Sequence, residues 1–259
     1  MLIGTVTFNN GSIIKNLFLS IKTLADDINM RWSENGIELY LTESITYVWT
    51  DLKASNLDQF KCSKTVVIGI NTASVYDILD HVTKNEVVVI SLKENQENMH
   101  YLEISISDTN VDYVYEINTI ELMDKKLSDD VIKYKGNEHS AIISIPAIEL
   151  KQLIQKFGKS SMDCIKLVFK NNSLFFMTKN QLSSGNIKYR NPNIIKSDHD
   201  ISTNLSKKKL LETIKCVSLS KSGNVEIMLE NDYPIFFEYP IDNYGSILIA
   251  IPSQNNEHY

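Results

Sequence analysis

Apolar residues recur at the helical spacing i, i+3, i+4 and i+7 in four segments of the chain, each about 13–16 residues long. The segments are residues 11–25, 72–84, 147–159 and 206–221. The first is marked by Ile14, Leu17, Phe18 and Ile21, with Ser12 placed to cap the free amides of a first turn. The spacing predicts four amphipathic helices, each with one face against a core.

The four predicted helices are evenly placed along the chain. They begin near positions 11, 71, 146 and 206, so the first and second are 60 residues apart, as are the third and fourth. Each is followed by two strand-like runs around a polar turn, and the runs are 28–32 and 37–41, 87–92 and 101–106, 165–169 and 174–177, and 225–229 and 235–239. This pattern predicts one supersecondary unit used four times, twice in each of two domains.

The domain boundaries follow from the same repeat. Residues 1–117 form the predicted N-terminal domain and residues 136–259 the C-terminal domain. Residues 118–135 between them are rich in charge and have only scattered apolar positions, which is typical of an extended connector. The strands do not alternate with long crossovers, so the fold class is α+β. In each domain we expect antiparallel sheets with two helices lining one face.

The charge of the chain is distributed unevenly. Its 259 residues carry 26 Lys+Arg and 32 Asp+Glu, for a net charge of −6. The four predicted helices carry +2, −1, +2 and +4 in chain order, and the rest of the chain carries −13. Lys15 and Lys22 are seven residues apart, as are Lys208 and Lys215, so each pair lies on one helix face. If these helices lie side by side, their lysine-bearing faces form a basic surface suited to sequence-independent contact with a phosphate backbone. Lysines are, however, also common on the ordinary solvated face of a helix.

The sequence contains no recognisable catalytic or metal-binding motif. The five histidines are scattered, and the three cysteines form no CxxC pair. Gly158-Lys159-Ser160 resembles the end of a phosphate-binding loop, but Leu153 occupies the position where that loop needs its first glycine. We therefore expect no enzyme, no cofactor and no metal. No apolar run approaches the roughly 20 residues of a membrane span, so we expect an intracellular protein without a membrane partner.

With these elements in place, the residues resemble the proliferating cell nuclear antigen family of DNA sliding clamps over nearly the whole chain. The stretches that carry the resemblance are Gly11-Ser12-Ile13 with Lys15, Trp32 with Gly36-Ile37-Glu38-Leu39, Phe60-Lys61-Cys62, Gly69-Ile70-Asn71, Ile145-Pro146, Gly185-Asn186-Ile187-Lys188, Tyr233-Pro234, Glu238-Tyr239 and Ile251-Pro252.

The resemblance implies a head-to-tail homotrimeric ring around double-stranded DNA, without base-specific contact. Such a ring acts as a processivity factor that tethers DNA polymerase and other replication or repair enzymes, is opened by a clamp loader, and lies in the nucleus if the source is eukaryotic. The implied DNA-facing residues are Lys15, Lys22, Lys84, Lys156, Lys159, Lys208, Lys215 and Lys221.

Two further surfaces are implied by the resemblance. The mutually pairing strands at the subunit interface correspond to Tyr115 and Ile117 on one edge and to Gly185, Asn186 and Ile187 on the other. The pocket that receives partner peptides corresponds to Leu127, Pro234, Ile251 and Pro252.

The sequence departs from the family pattern at several positions. Asp77 and Asp80 stand where lysines are usual, and Gln152 and Gln155 where arginines are frequent. These departures keep an alternative open, in which a clamp-like adaptor acts in a heteromeric checkpoint ring or as a transcription accessory factor.

Overall fold

The computed structural model divides into two compact units. It describes residues 1–43, 46–108, 110–123, 139–158, 163–179, 184–190, 192–219, 223–231 and 233–254. The first unit comprises Met1–Thr42, Val48–Leu127 and Ile241–Ile247, and the second comprises Glu43–Tyr47, Ser128–Pro240 and Leu248–Tyr259. Neither unit is contiguous in sequence, whereas the domains predicted from the repeat were contiguous.

The first half of the chain contains nine strands and two α-helices among its described residues. Their bounds are β1 (Leu2–Phe8), α1 (Gly11–Ile21), β2 (Asp27–Ser33), β3 (Gly36–Glu43), β4 (Thr46–Lys53), β5 (Gln59–Cys62), β6 (Val66–Asn71), α2 (Thr72–Leu79), β7 (Val87–Glu94), β8 (His100–Ser107) and β9 (Asp112–Asn118).

The second half repeats this series within the described ranges. Its elements are β10 (Ala141–Pro146), α3 (Ala147–Gly158), β11 (Cys164–Lys170), β12 (Ser173–Lys179), β13 (Ser184–Arg190), β14 (Asn193–Ser197), β15 (Ile201–Ser206), α4 (Lys207–Thr213), β16 (Asn224–Leu229), β17 (Ile235–Ile241) and β18 (Gly245–Ile251). Short 3-10 segments cover Ala54–Asn56 and Ile214–Ser218.

Strand order shows that the two halves have the same topology. In the first half the strands pair in the orders β5-β1-β7-β8-β9 and β4-β3-β2-β6. In the second half the orders are β14-β10-β16-β17-β18 and β13-β12-β11-β15, which are the same with nine added to every strand number. Equivalent pairs are antiparallel, with Val6 opposite Ile90 between β1 and β7 and Ile143 opposite Ile227 between β10 and β16. The predicted α+β fold with two similar domains is therefore confirmed.

The helices cover one face of the sheets in each half. Helix α1 packs on β1 and β7, and its equivalent α3 packs on β10 and β16. The predicted apolar faces are buried: Leu17 and Phe18 of α1 and Leu150 and Ile154 of α3 are at most 1% exposed. The helices within a half also contact each other, α1 with α2 and α3 with α4. The longest described helix, α3, has 12 residues, so no described helix qualifies as a membrane span.

The structure corrects the predicted helix ends and one cap. The starts agree within one residue, but α1 ends at Ile21 and α2 at Leu79, well before the predicted residues 25 and 84. Val82 continued the helical spacing, yet it lies in the turn after α2 and is 3% exposed. A buried apolar residue in the loop after the helix therefore matched the pattern of one more helical turn. The cap of α1 is Asn10, whose side chain accepts from the Ser12 amide at 3.2 Å, and Ser12 itself lies inside the helix.

Candidate nucleic-acid interface

Two lysines of the first unit, Lys15 on α1 and its C-cap Lys22, contact α2 and the C-cap of α2. Lys15 of α1 has its Nζ 3.9 Å from the Asp80 Oδ1, and the same Nζ donates to the main-chain oxygen of Asp80. Lys22, the C-cap of α1, places its Nζ 3.4 Å from the centre of the Tyr76 ring. Tyr76 in turn donates its hydroxyl hydrogen to the Asp80 Oδ1 at 2.5 Å. Four side chains on two neighbouring helices therefore form one connected cluster.

The hydrogen bond within this cluster shifts both of its acidic groups. The Tyr76 hydroxyl holds the pKa of the Asp80 carboxyl below its ordinary value, and the attraction of Lys15 acts in the same direction. The same hydrogen bond raises the pKa of Tyr76. Asp80 is consequently ionised, and Tyr76 neutral, at physiological pH.

The lysines of the second unit have a different environment. Lys208 of α4 and Lys215 of the following 3-10 segment are both exposed. Lys209 is held by Glu212 one turn further on, with Nζ and Oε2 3.3 Å apart. Ser206 is the N-cap of α4, and its hydroxyl oxygen accepts from the Lys209 amide at 3.4 Å, so the helix begins one residue after the predicted start at 206.

The remaining predicted DNA-facing residues fall in three places. Lys156 is exposed on α3, whereas Lys84 lies in the turn before β7 rather than on a helix, because α2 has already ended. Lys159 and Lys221 lie outside the described residues.

Strand β9 is the last strand of its sheet, beside β8. Tyr113, Val114 and Tyr115 on this strand are 47%, 60% and 40% exposed, an unusual run of apolar area on an edge strand. Ile117, also predicted for this edge, is only 8% exposed, so it can contribute main-chain groups but little side-chain surface. Tyr113 and Tyr115 share the strand face of Ile117 because side chains alternate along a strand.

Strand β13 is likewise the last in its strand order, beside β12. Gly185, Ile187 and Tyr189 are half-buried, while Asn186 and the other alternate residues are exposed. The sequence analysis predicted an interface at residues 185–187 and did not single out Tyr113, Val114 and Tyr189, which lie on the same two edge strands. The run Tyr113-Val114-Tyr115 in β9 and the alternation of Ile187 and Tyr189 with polar residues in β13 are the sequence signals that point to them.

Tyr189 ties β13 to helix α3, since its hydroxyl donates to the Glu149 Oε2 at 2.6 Å. Burial, followed by this hydrogen bond, raises the pKa of Tyr189 from its ordinary 10.0 to about 12. We expect Tyr189→Phe to lower the free energy of unfolding by about 1 kcal/mol at neutral pH. Because the folded-state pKa lies above the unfolded one, the wild-type advantage should be complete below pH 10 and should vanish between pH 10 and about 12.

Chemical denaturation of both proteins across this pH range measures the effect. Tyr113→Phe removes a hydroxyl from an exposed tyrosine and serves as the matched control, with an expected change within about 0.5 kcal/mol at all pH values. A Tyr189→Phe difference that persists undiminished above pH 12 would contradict the assignment of the hydrogen bond.

The predicted pocket residues are not equally accessible. Pro234 and Pro252 are half-buried, Ile251 is 1% exposed and lies in the core, and Leu127 lies outside the described residues. A cavity of about 870 Å³ in the first unit was not predicted. It is lined by β6, residues 95–101 and residues 118–122, and by none of the four predicted residues.

Comparison with known proteins gives matches over nearly all of this chain. The family described as "Proliferating cell nuclear antigen, N-terminal domain" matches residues 3–126, and "Proliferating cell nuclear antigen, C-terminal domain" matches residues 133–254. The chain is 27% identical over 244 residues to Proliferating cell nuclear antigen 1 of Plasmodium falciparum (isolate 3D7), covering 90% of this chain and 86% of the relative. It is 23% identical over 239 residues to Proliferating cell nuclear antigen of Chaetomium thermophilum, covering 89% and 90%.

Solved structures show the same fold. The crystal structure of Proliferating Cellular Nuclear Antigen from Entamoeba histolytica matches with a TM-score of 0.85 at 17% identity, covering 98% of this chain and 100% of that one. Two topologically equivalent halves, each with two helices on one face of its sheets, are the architecture of a DNA sliding clamp. The chain belongs to the proliferating cell nuclear antigen family.

Proposed function

We propose that three copies of this chain join head to tail into a closed ring that encircles double-stranded DNA and acts as a polymerase processivity factor. The observation that carries the proposal is that β9 in the first half and β13 in the second are both edge strands of their sheets. Because the two edges belong to different strands, pairing between copies is heterologous, and heterologous contacts form rings when the rotation closes. The number three comes from the family resemblance.

The two edges are chemically matched. Tyr113 and Tyr115 form an exposed apolar face on β9. On β13, the half-buried Ile187 shares a strand face with Tyr189, which is hydrogen-bonded to Glu149 of α3. Pairing would satisfy the free main-chain groups of both edges and cover this apolar area at once. Once paired, neither edge strand would be open to non-specific edge-to-edge association.

The basic helices supply the contact with DNA. Lys208 and Lys215 are exposed in the second unit, and Lys156 is exposed on α3. Lysines that make no contact with base edges bind a phosphate backbone through charge alone, which permits sliding along any sequence. A scaffold of this kind needs no catalytic group, so we infer a non-enzymatic role, in the nucleus if the cell is eukaryotic.

The enzymes that this ring tethers would bind through short peptides with apolar anchors. Pro234 and Pro252 offer partly exposed surface for such an anchor. DNA polymerase, other replication or repair enzymes and a clamp loader are the proposed partners of this surface.

Removing the two exposed lysines of the second unit tests the DNA contact. We expect the Lys208→Ala, Lys215→Ala double variant to bind duplex DNA at least about tenfold more weakly at 0.1 M salt. The slope of log affinity against log salt should fall by roughly 0.9 for each phosphate that a lysine no longer neutralises. Fluorescence anisotropy with a labelled duplex of about 30 base pairs, at several salt concentrations, measures both quantities.

Lys166 and Lys170 provide a matched control for the same change in charge. Both are exposed on β11, where they alternate with Ile165, Leu167 and Phe169 of the core, so they lie on the sheet face turned away from the core. Their double alanine variant should keep the wild-type salt slope. Equal slopes for the wild type and the Lys208, Lys215 variant would show that α4 does not meet DNA.

A further inference from the structure

The two lysines of α1 and the two carboxylates of α2 balance each other in the first unit. Counting the C-caps Lys22 and Asp80, α1 and α2 carry Lys15 and Lys22 against Asp77 and Asp80, a net charge of zero. In the second unit, α3, α4 and the following 3-10 segment carry six lysines against two glutamates, a net charge of +4. The equivalent helices of the two halves therefore differ in charge although their topology is the same.

The balance in the first unit is made by direct contact. The Lys15 ammonium forms an ion pair with the Asp80 carboxylate and donates a hydrogen bond to the Asp80 main-chain oxygen. Tyr76 donates to the same carboxylate at 2.5 Å, which fixes the position of the ring, and the ring face receives Lys22 at 3.4 Å. An ammonium group above an aromatic face is attracted by the ring's negative π face. Tyr76 thus connects the second lysine to the same acidic residue.

Contacts of this kind change what a lysine can contribute to DNA binding. The affinity of a free surface lysine for a phosphate backbone comes largely from the release of counterions that the DNA holds. A lysine already paired with a carboxylate must first give up that partner, and the carboxylate left behind repels the phosphate. Lys15 is 25% exposed in its side chain, so its ammonium is also less accessible than that of an extended surface lysine.

We propose that Tyr76 and Asp80 hold Lys15 and Lys22 away from the phosphate backbone, so that this clamp grips DNA through the C-terminal unit and leaves the N-terminal unit almost neutral towards it. Asp80 is the residue that determines this asymmetry. The inference rests on the proposed encirclement of DNA and deepens it, because it assigns the contact to one of two equivalent pairs of helices.

A double-mutant cycle between Lys15 and Asp80 tests the inference in the full-length protein. Lys15→Ala alone should weaken binding of a labelled duplex by no more than about threefold, because it removes no phosphate contact and the repulsion from the unpaired Asp80 carboxylate is screened by salt. Asp80→Asn should tighten binding at least fivefold at 0.1 M salt and steepen the salt slope by about 0.9 for the lysine set free. Adding Lys15→Ala to Asp80→Asn should remove most of that gain.

Asp77→Asn is the matched control for charge. It makes the same change on the same helix, but Asp77 is exposed and makes no described contact with either lysine. Any effect of Asp77→Asn should be the same with Lys15 or Ala at position 15. Coupling of Lys15 to Asp80 but not to Asp77 would support the inference. If Lys15→Ala alone weakened binding as much as Lys208→Ala, or if Asp80→Asn changed neither affinity nor slope, the inference would be overturned.

Failure of the inference can be separated from failure of the proposed function. The Lys208, Lys215 double variant reports on DNA contact without involving the cluster. If it weakens binding while the Lys15 and Asp80 variants do not couple, only the asymmetry is wrong. If no variant changes DNA binding, the encirclement of DNA itself is wrong, and the inference falls with it.

Discussion

Replacing Tyr113 and Tyr115 together by aspartate should dissociate the proposed ring into single chains of 29.5 kDa. Both tyrosines lie on the open edge strand β9 and are 47% and 40% exposed in the isolated chain. An interface aromatic of this kind typically contributes at least about 2 kcal/mol, and 1.4 kcal/mol corresponds to a factor of ten. Each junction should therefore weaken by about a thousandfold, and light scattering at micromolar concentration should show the mass of one chain.

Asp112→Asn on the same strand is the control for this substitution. It removes one charge from β9 without changing apolar area, so the assembled mass should remain. The fold of the double variant is checked by far-ultraviolet circular dichroism. An aspartate variant that still assembles would place the contact between copies on another surface.

The proposed head-to-tail arrangement gives a second test of the same junction. Ile187→Asp damages the β13 side, and Tyr113→Asp with Tyr115→Asp damages the β9 side. Neither variant should assemble alone. Mixed together, they should form heterodimers through the one intact junction, β9 of the first variant and β13 of the second. A symmetric β9 to β9 contact would instead allow the Ile187→Asp variant to dimerise.

Trp32→Ala should lower the free energy of unfolding by about 3–5 kcal/mol. Trp32 on β2 is fully buried, and its ring stacks on Phe60 with centroids 6.1 Å apart. It also packs on the main chain of β1 at Gly4, where a Cβ would lie 2.8 Å from the Trp32 Cε3. On the Gly4 side the space left by the indole is bounded by backbone, which cannot collapse into it, so the cavity cost should be near the upper limit.

Trp32→Phe provides the comparison that identifies packing as the cause. The indole Nε1 is buried and has no hydrogen-bond partner among the described residues. An unpaired buried donor costs about 1–3 kcal/mol, so phenylalanine removes this cost while it loses part of the packing. We expect a net loss below about 1.5 kcal/mol, measured by guanidinium unfolding followed by circular dichroism. A loss as large as that of Trp32→Ala would mean that the indole nitrogen does have a partner.

Local patterns were sufficient for the starts of the helices and for the repeat. Helix starts carry their own chemical signals, such as Ser206 before α4, which act within one turn, although the cap of α1 is Asn10 and not the predicted Ser12. Apolar periodicity then set which face of each helix meets the sheets. The nine-strand topology of each half was less accessible, because strands such as β5 and β14 are only four and five residues long and give a weak pattern.

Helix ends were predicted less well, for a physical reason. Val82 has the spacing of a helical residue, but it is buried by a turn that packs on Gly11, where a Cβ would lie 2.3 Å from the Val82 Cγ1. Burying an apolar side chain lowers the free energy of the fold by a similar amount in a turn and in a helix. The spacing alone therefore extended α2 to Lys84 and placed that lysine on the wrong kind of element.

The order of residues along the chain was enough to reveal two equivalent halves, four amphipathic helices and a family of clamps, because periodicity and motif are properties of neighbours in sequence. The environment of Lys15 and Lys22 was decided by distant parts of the chain. Lys15 and Asp80 are 65 residues apart, and only the packing of α1 on α2 joins them. The number of charged residues on each helix can be read from the sequence, whereas the tertiary structure determines which of them are paired with each other.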